Sequence, residues 1–194
     1  MKLHYMGTYN KKPEELPANP HKPNCVKFKE PEDTTKLGII ANCVAVVILI
    51  ILAIPVFILS GIDALGAFGI SSILFMLCLF PHEMIHAIGF KKDVYLYTNL
   101  KEGMLFVVGP EDMSKFRFIF MSLLPVLLLG FVPYIIYFFH PEWTLLGALG
   151  AMNIASGGGD YINVFNALTQ MPKGSRTYLH HFNSYWYIPE KEEK

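Results

Sequence analysis

Residues 37–59 read LGIIANCVAVVILIILAIPVFIL, twenty-three positions without a single charge. A bilayer core of about 30 Å is crossed by about 20 consecutive apolar residues, so this stretch predicts a membrane-spanning helix. Three further stretches have the same character. One runs from about residue 64 into the segment PHEMIHAIGF (81–90). Another covers 117–139 and is charged only at Arg117, and a last one, 143–170, is charged only at Asp160. Composition agrees: 53% of residues are hydrophobic and 16% charged, against about 25% charged in ordinary soluble domains. The sequence therefore predicts an all-α membrane protein. Four transmembrane helices are expected, with a short cytoplasmic-side β-hairpin between the second and third.

Lysine and arginine are distributed unevenly around these stretches. They precede the first, fall between the second and third, and follow the fourth, whereas the connections SGID (60–63) and HPEW (140–143) have none. Positive charge stays on the cytoplasmic side. The expectation is a multi-pass cell-membrane protein with both termini cytoplasmic. The first span follows some 36 polar-rich residues and no small-residue cleavage site comes after it, so it reads as a retained signal-anchor. Cys25, Cys43 and Cys78 are odd in number and lack C-x-x-C spacing, which argues against a disulfide framework or a zinc ribbon. Cys78 shares a helical face with His82, and a packed thiol is the expected role.

Three regions follow. Residues 1–36, with prolines at 13, 17, 20, 23 and 31, predict a Pro/Lys-rich cytoplasmic tail without packed helix. Residues 37–172 form the four-span domain. Within it, DVYLYTNLKEGMLFVVGPED (93–112) has two β-rich runs around a KEG turn, a hairpin pattern. Residues 173–194 form an aromatic and then charged tail, expected along the cytoplasmic membrane surface.

His82, Glu83 and His86 give the form H-E-x-x-H. Helical positions i and i+4 lie close in angle and about 6 Å apart along the axis. Two imidazoles at that spacing reach one zinc ion, with the glutamate beside the water it binds. Zinc would bring the pKa of that water toward ~7 while the carboxylate takes its proton. A third protein ligand is needed, and Asp160 is the candidate. A carboxylate inside a span costs several kcal/mol unless something offsets its charge. Counted from their outer loops at 1.5 Å per residue, His82 and Asp160 come within roughly 3 Å of the same depth. Asn153 and Asn163, at i−7 and i+3 from Asp160, are candidate donors to an oxyanion or to substrate, or interhelical hydrogen-bonding groups. Gly157, Gly158 and Gly159 disfavour regular helix by about 1 kcal/mol each and would loosen the fourth span or allow close helix approach. Pro125 and Pro133 predict kinks in the third span.

On HEMIH (82–86), the hairpin after it, one intervening span and SGGGD (156–160), the chain resembles the site-2 protease-like intramembrane metalloproteases. It is closer still to a family of small four-span bacterial membrane proteins described as zincin peptidases. The resemblance covers about residues 64–170. It implies His82, His86 and Asp160 as zinc ligands, Glu83 as general base, and intramembrane proteolysis in which the hairpin edge receives an unwound substrate strand. The chain departs from the site-2 pattern in following Asp160 with Tyr161 and in lacking prolines between Asn153 and Asp160.

The expected function is that of a membrane-embedded zinc metalloendopeptidase. It would act on a peptide or membrane-protein substrate in the lipid bilayer, with no nucleic-acid partner. Two alternatives are a non-catalytic metal-binding adaptor and a metal carrier. Carriers usually show internal repeats and midplane ionisable groups, and neither is visible here.

Overall fold

The computed structural model describes residues 2–31, 33–99, 101 and 103–190. Two parts of the sequence reading fall partly outside them: Glu102 of the KEG turn, and Lys191 and Lys194 of the charged tail. The order of elements is β1 (Leu3–Thr8), a 3-10 turn (Pro13–Glu15), β2 (Val26–Lys27), α1 (Thr34–Ser60), α2 (Asp63–Ile88), β3 (Val94–Asn99), β4 (Met104–Val108) and β5 (Met113–Ser114). Then come α3 (Lys115–Pro125), a π-helical stretch (Val126–Phe131), α4 (Val132–Phe139), α5 (Thr144–Ser156), α6 (Gly158–Gln170), β6 (Arg176–His180) and β7 (Asn183–Tyr187).

This architecture corrects the expectation of an all-α protein with four transmembrane helices. Among the described residues, three helices are long and apolar enough to cross a membrane: Thr35–Ser60, Asp63–Ile88 and Lys115–Phe139. The fourth apolar stretch is two 13-residue helices, α5 and α6, separated at Gly157. Each is about 20 Å long at 1.5 Å per residue, short of a hydrocarbon core. The break falls at the start of the glycine run, where helix is least favoured. The chain also forms two sheets, ordered β1-β3-β4 and β2-β7-β6-β5. The hairpin is thus part of a larger sheet, because the N-terminal segment adds β1 parallel to β3. Proline limits helix in that segment to one 3-10 turn, Pro13–Glu15, and leaves extended pairing open. The C-terminal segment NSYWY is rich in residues that suit a pleated surface, and it forms β7 against β6 and β2.

The chain divides into two compact units. One comprises residues 33–82 and 123–162. Its α1 begins at the N-cap Asp33, whose carboxylate accepts the Thr35 N–H at 2.8 Å, and ends at Gly61, whose φ of +56° suits glycine. Its core gathers Val56, Ala64, Val126, Tyr134, Tyr137, Ala151 and Ile154. Small residues let the backbones approach: a Cβ on Gly150 would come within 2.7 Å of the Tyr134 nitrogen. Phenols find partners here, buried Tyr134 donating to the Leu52 carbonyl and half-buried Tyr161 to the Ile154 carbonyl, both at 2.7 Å. Outward residues of α1 such as Ile50, Ile54 and Ile58 are exposed and apolar.

The other unit comprises residues 1–32, 83–122 and 163–194 and holds both sheets. Tyr9, Leu16 and Tyr97 form one core with Phe106 and Phe182 packed on it. Phe28, Ala167 and Met171 form another, with Phe118 and Trp186.

Candidate metal centre

The motif HEMIH falls near the C-terminal end of α2, which runs unbroken from Asp63 to Ile88. The helix supplies the spacing that the sequence predicts. One ligand atom each from His82, Glu83 and His86 all lie within 4.8 Å of one another.

Asp160 is the third residue of α6 and stands in its first turn. Breaking the apolar stretch at Gly157 creates a helix start there, and the partial positive charge of a helix N-terminus favours a carboxylate. Gly158 packs so closely on α1 that an added Cβ would overlap the Ala41 carbonyl. The Asp160 Oδ2 lies 3.3 Å from His82 Nε2, and the two side chains are only 13% and 12% exposed. A tetrahedral zinc site with bonds of about 2.0–2.1 Å separates neighbouring ligand atoms by about 3.3 Å. The separation of Asp160 Oδ2 and His82 Nε2 is the size of one such edge, and imidazole and carboxylate are both ordinary zinc ligands.

Each of two motif residues is held from behind by backbone. The Met121 carbonyl lies 3.0 Å from His86 Nδ1. A carbonyl can only accept, so Nδ1 carries the proton and Nε2 is the nitrogen with a lone pair for a metal. His86 is buried, which limits the orientations open to its ring. Glu83 Oε2 accepts the N–H of Val107 at 3.0 Å. Val107 belongs to β4, the outer strand of the sheet β1-β3-β4.

The chain just after α2 is clamped by charge. Arg117 donates from Nε and Nη2 to the Gly89 carbonyl at 3.1 and 2.6 Å and from Nη1 to Glu111. Glu111 also accepts the N–H groups of Lys91 and Lys92, at 2.6 and 2.9 Å. Burial alone would raise the Glu111 pKa, but Arg117 and the two N–H groups together hold it below the usual glutamate value. The single charge of the third apolar stretch thus caps the end of the motif helix. Gly89 permits this, since an added Cβ would overlap the Met121 side chain.

The remaining candidates are placed differently. Asn153 is fully buried in α5, donates Nδ2 to the Leu149 carbonyl at 2.9 Å, and keeps a buried Oδ1 without a partner among the described residues. Asn163 is half-buried in α6, three residues past Asp160. His180 donates Nδ1 to the Asn19 carbonyl at 2.6 Å and stacks on His21 with centroids 4.2 Å apart. Sequence reasoning did not find the Met121 carbonyl or the Val107 N–H. Backbone groups leave no residue-type signature.

Three helices long and apolar enough to cross a membrane, one of them carrying an H-E-x-x-H cluster that could hold a metal ion, are features expected of a membrane zincin. The chain belongs to the family described as "Putative zincin peptidase", whose model matches residues 73–176, just over half of the sequence. The match takes in the motif, the hairpin, α3 to α6 and the start of β6. No curated protein and no solved structure matches the chain.

Proposed function

We propose that this chain is a membrane-embedded zinc endopeptidase cleaving membrane-associated polypeptides, with His82, His86 and Asp160 as the metal ligands and Glu83 as general base. The observation that carries this reading is the 3.3 Å approach of Asp160 Oδ2 to His82 Nε2, added to an H-E-x-x-H helix in a zincin-peptidase family member. A zinc ion held by these groups would polarise a peptide carbonyl and acidify a neighbouring water. Glu83 takes the proton of the attacking water and returns it to the departing amine nitrogen. The Val107 N–H fixes one oxygen of that carboxylate, and the Met121 carbonyl fixes the proton of His86 on Nδ1. An extended substrate segment adds along the outer edge of β4 by main-chain hydrogen bonding, which brings its scissile bond beside Glu83.

The test is hydrolysis of a membrane-anchored model substrate by zinc-loaded full-length protein in liposomes. The reading expects cleavage that is abolished by a chelator and restored by zinc. Cleavage indifferent to metal, or none from a fully loaded protein over a broad substrate panel, would refute it.

A further inference from the structure

The third membrane-length helix carries two prolines, Pro125 and Pro133. Proline in a helix removes the i→i−4 hydrogen bond, and its ring crowds the carbonyl four residues before it. For Pro125 that carbonyl belongs to Met121, the group that accepts the His86 Nδ1–H at 3.0 Å. Pro125 is itself fully buried, and the helix passes into a π-helical stretch directly after it. We propose that Pro125 is a positioning residue for the metal centre. By withholding the N–H that an α-helix would offer to Met121, it leaves that carbonyl to hold His86 as the Nδ1–H tautomer with Nε2 toward the metal.

The exchange is favourable in both directions. A helix carbonyl without its donor is costly at membrane depth unless another group satisfies it, and the imidazole N–H does so. In return the ring acquires a fixed tautomer and orientation, the role that outer-shell acceptors play for metal-ligating histidines. Arg117, one turn before Met121 on the same face of α3, anchors the same end of α2 through the Gly89 carbonyl. That anchor holds α3 beside the motif, while Pro125 determines which hydrogen bond Met121 makes. Pro133 provides a control, because the carbonyl it crowds is that of Leu129, which is not the acceptor for His86.

This inference rests on the reading of His86 as a metal ligand, and its test has a readout that needs no peptidase activity. Full-length protein labelled with 15N-histidine is compared as wild type, Pro125→Ala and Pro133→Ala in micelles at one fixed pH, about 8, with His86 assigned from a His86→Gln variant. Zinc affinity is measured alongside by chelator competition. The expected result is an Nδ1–H tautomer for His86 in wild type and Pro133→Ala. Pro125→Ala should show a mixture with the Nε2–H form and a zinc affinity about 10- to 100-fold weaker, the usual outer-shell loss. An unchanged tautomer in Pro125→Ala, with affinity within about twofold of wild type, overturns the proposal. An equal loss in Pro133→Ala overturns it too, since bending of the helix would then suffice. Should the tautomer shift as expected while wild type cleaves no substrate, the positioning role stands and the peptidase reading falls.

Discussion

Asp160 and His82 lie 22 positions short of a hundred apart in sequence, yet their Oδ2 and Nε2 atoms are 3.3 Å apart between two largely buried side chains. Asp160 comes from the first turn of a helix restarted after a glycine break, and His82 from the interior of an unbroken one. The contact thus pairs a broken helix with a continuous one.

Glu83→Gln separates catalysis from metal binding. The amide keeps the shape of the side chain but takes up no proton. Hydrolysis should fall by about 10²- to 10⁴-fold, the usual contribution of a general base, with zinc affinity little changed. Parallel turnover and metal titration check this. An adaptor that keeps its metal for structural reasons would tolerate the substitution in every assay, and a carrier would instead show zinc uptake into liposomes.

Gly158 and Gly159 are adjacent and should respond oppositely to alanine. A Cβ at Gly158 overlaps the Ala41 backbone carbonyl, which has little room to retreat, whereas one at Gly159 meets nothing within 4 Å. Gly158→Ala should destabilise the protein by about 1–3 kcal/mol and weaken zinc binding through displacement of Asp160. Gly159→Ala should be neutral or slightly stabilising. Thermal unfolding in detergent, with and without zinc, tests the contrast.

The clamp at the end of the motif helix predicts an acid transition. Glu111 has its folded pKa held below the reference value of 4.5. Its contribution to stability is therefore complete above that value and is lost as pH falls through the lower, folded one. Protection of the Lys91 and Lys92 amides against hydrogen exchange, relative to the intrinsic rate at each pH, should fall below about pH 4.5. Glu111→Gln should already show faster exchange at neutral pH and less change on acidification.

Arg117→Met removes the cation and leaves Glu111 buried with its charge uncompensated. Breaking a buried pair in this way costs about 3 kcal/mol, to be read as a lowered unfolding midpoint at pH 7. Because Glu111 protonates when its partner is gone, the penalty should shrink as the pH is lowered toward 4.5. A penalty independent of pH would show that Arg117 acts through packing of its stem alone.

The candidate residues stood out because their types are expensive in an apolar stretch. His82, Glu83, His86 and Asp160 differ from their neighbours in this way, and counting residues along two stretches put His82 and Asp160 at one level, in keeping with their 3.3 Å approach. The glycine run announced a weakness in the last stretch, but hydropathy alone does not distinguish a loosened span from two short helices, so the span count came out one too high. The sheets were harder to see. The prolines of residues 1–36 argued against packed helix, and helix there is confined to a single 3-10 turn at Pro13–Glu15 and the start of α1 at Thr34, yet they do not reveal that Leu3–Thr8 pairs in parallel with a strand some ninety residues later. Non-local pairing has no local sequence signal. The same holds for the Met121 carbonyl and the Val107 N–H, which act through backbone atoms common to every residue.

The central claim is that His82, His86 and Asp160 together hold one zinc ion. Zinc content of the purified full-length protein, compared with His86→Ala and Asp160→Ala, tests it most directly. The account predicts about one zinc per wild-type chain and little or none in either variant, since a three-ligand site loses its grip when one ligand is removed. Full zinc occupancy in Asp160→Ala, or wild-type protein that takes up no zinc in the presence of excess metal, would contradict it.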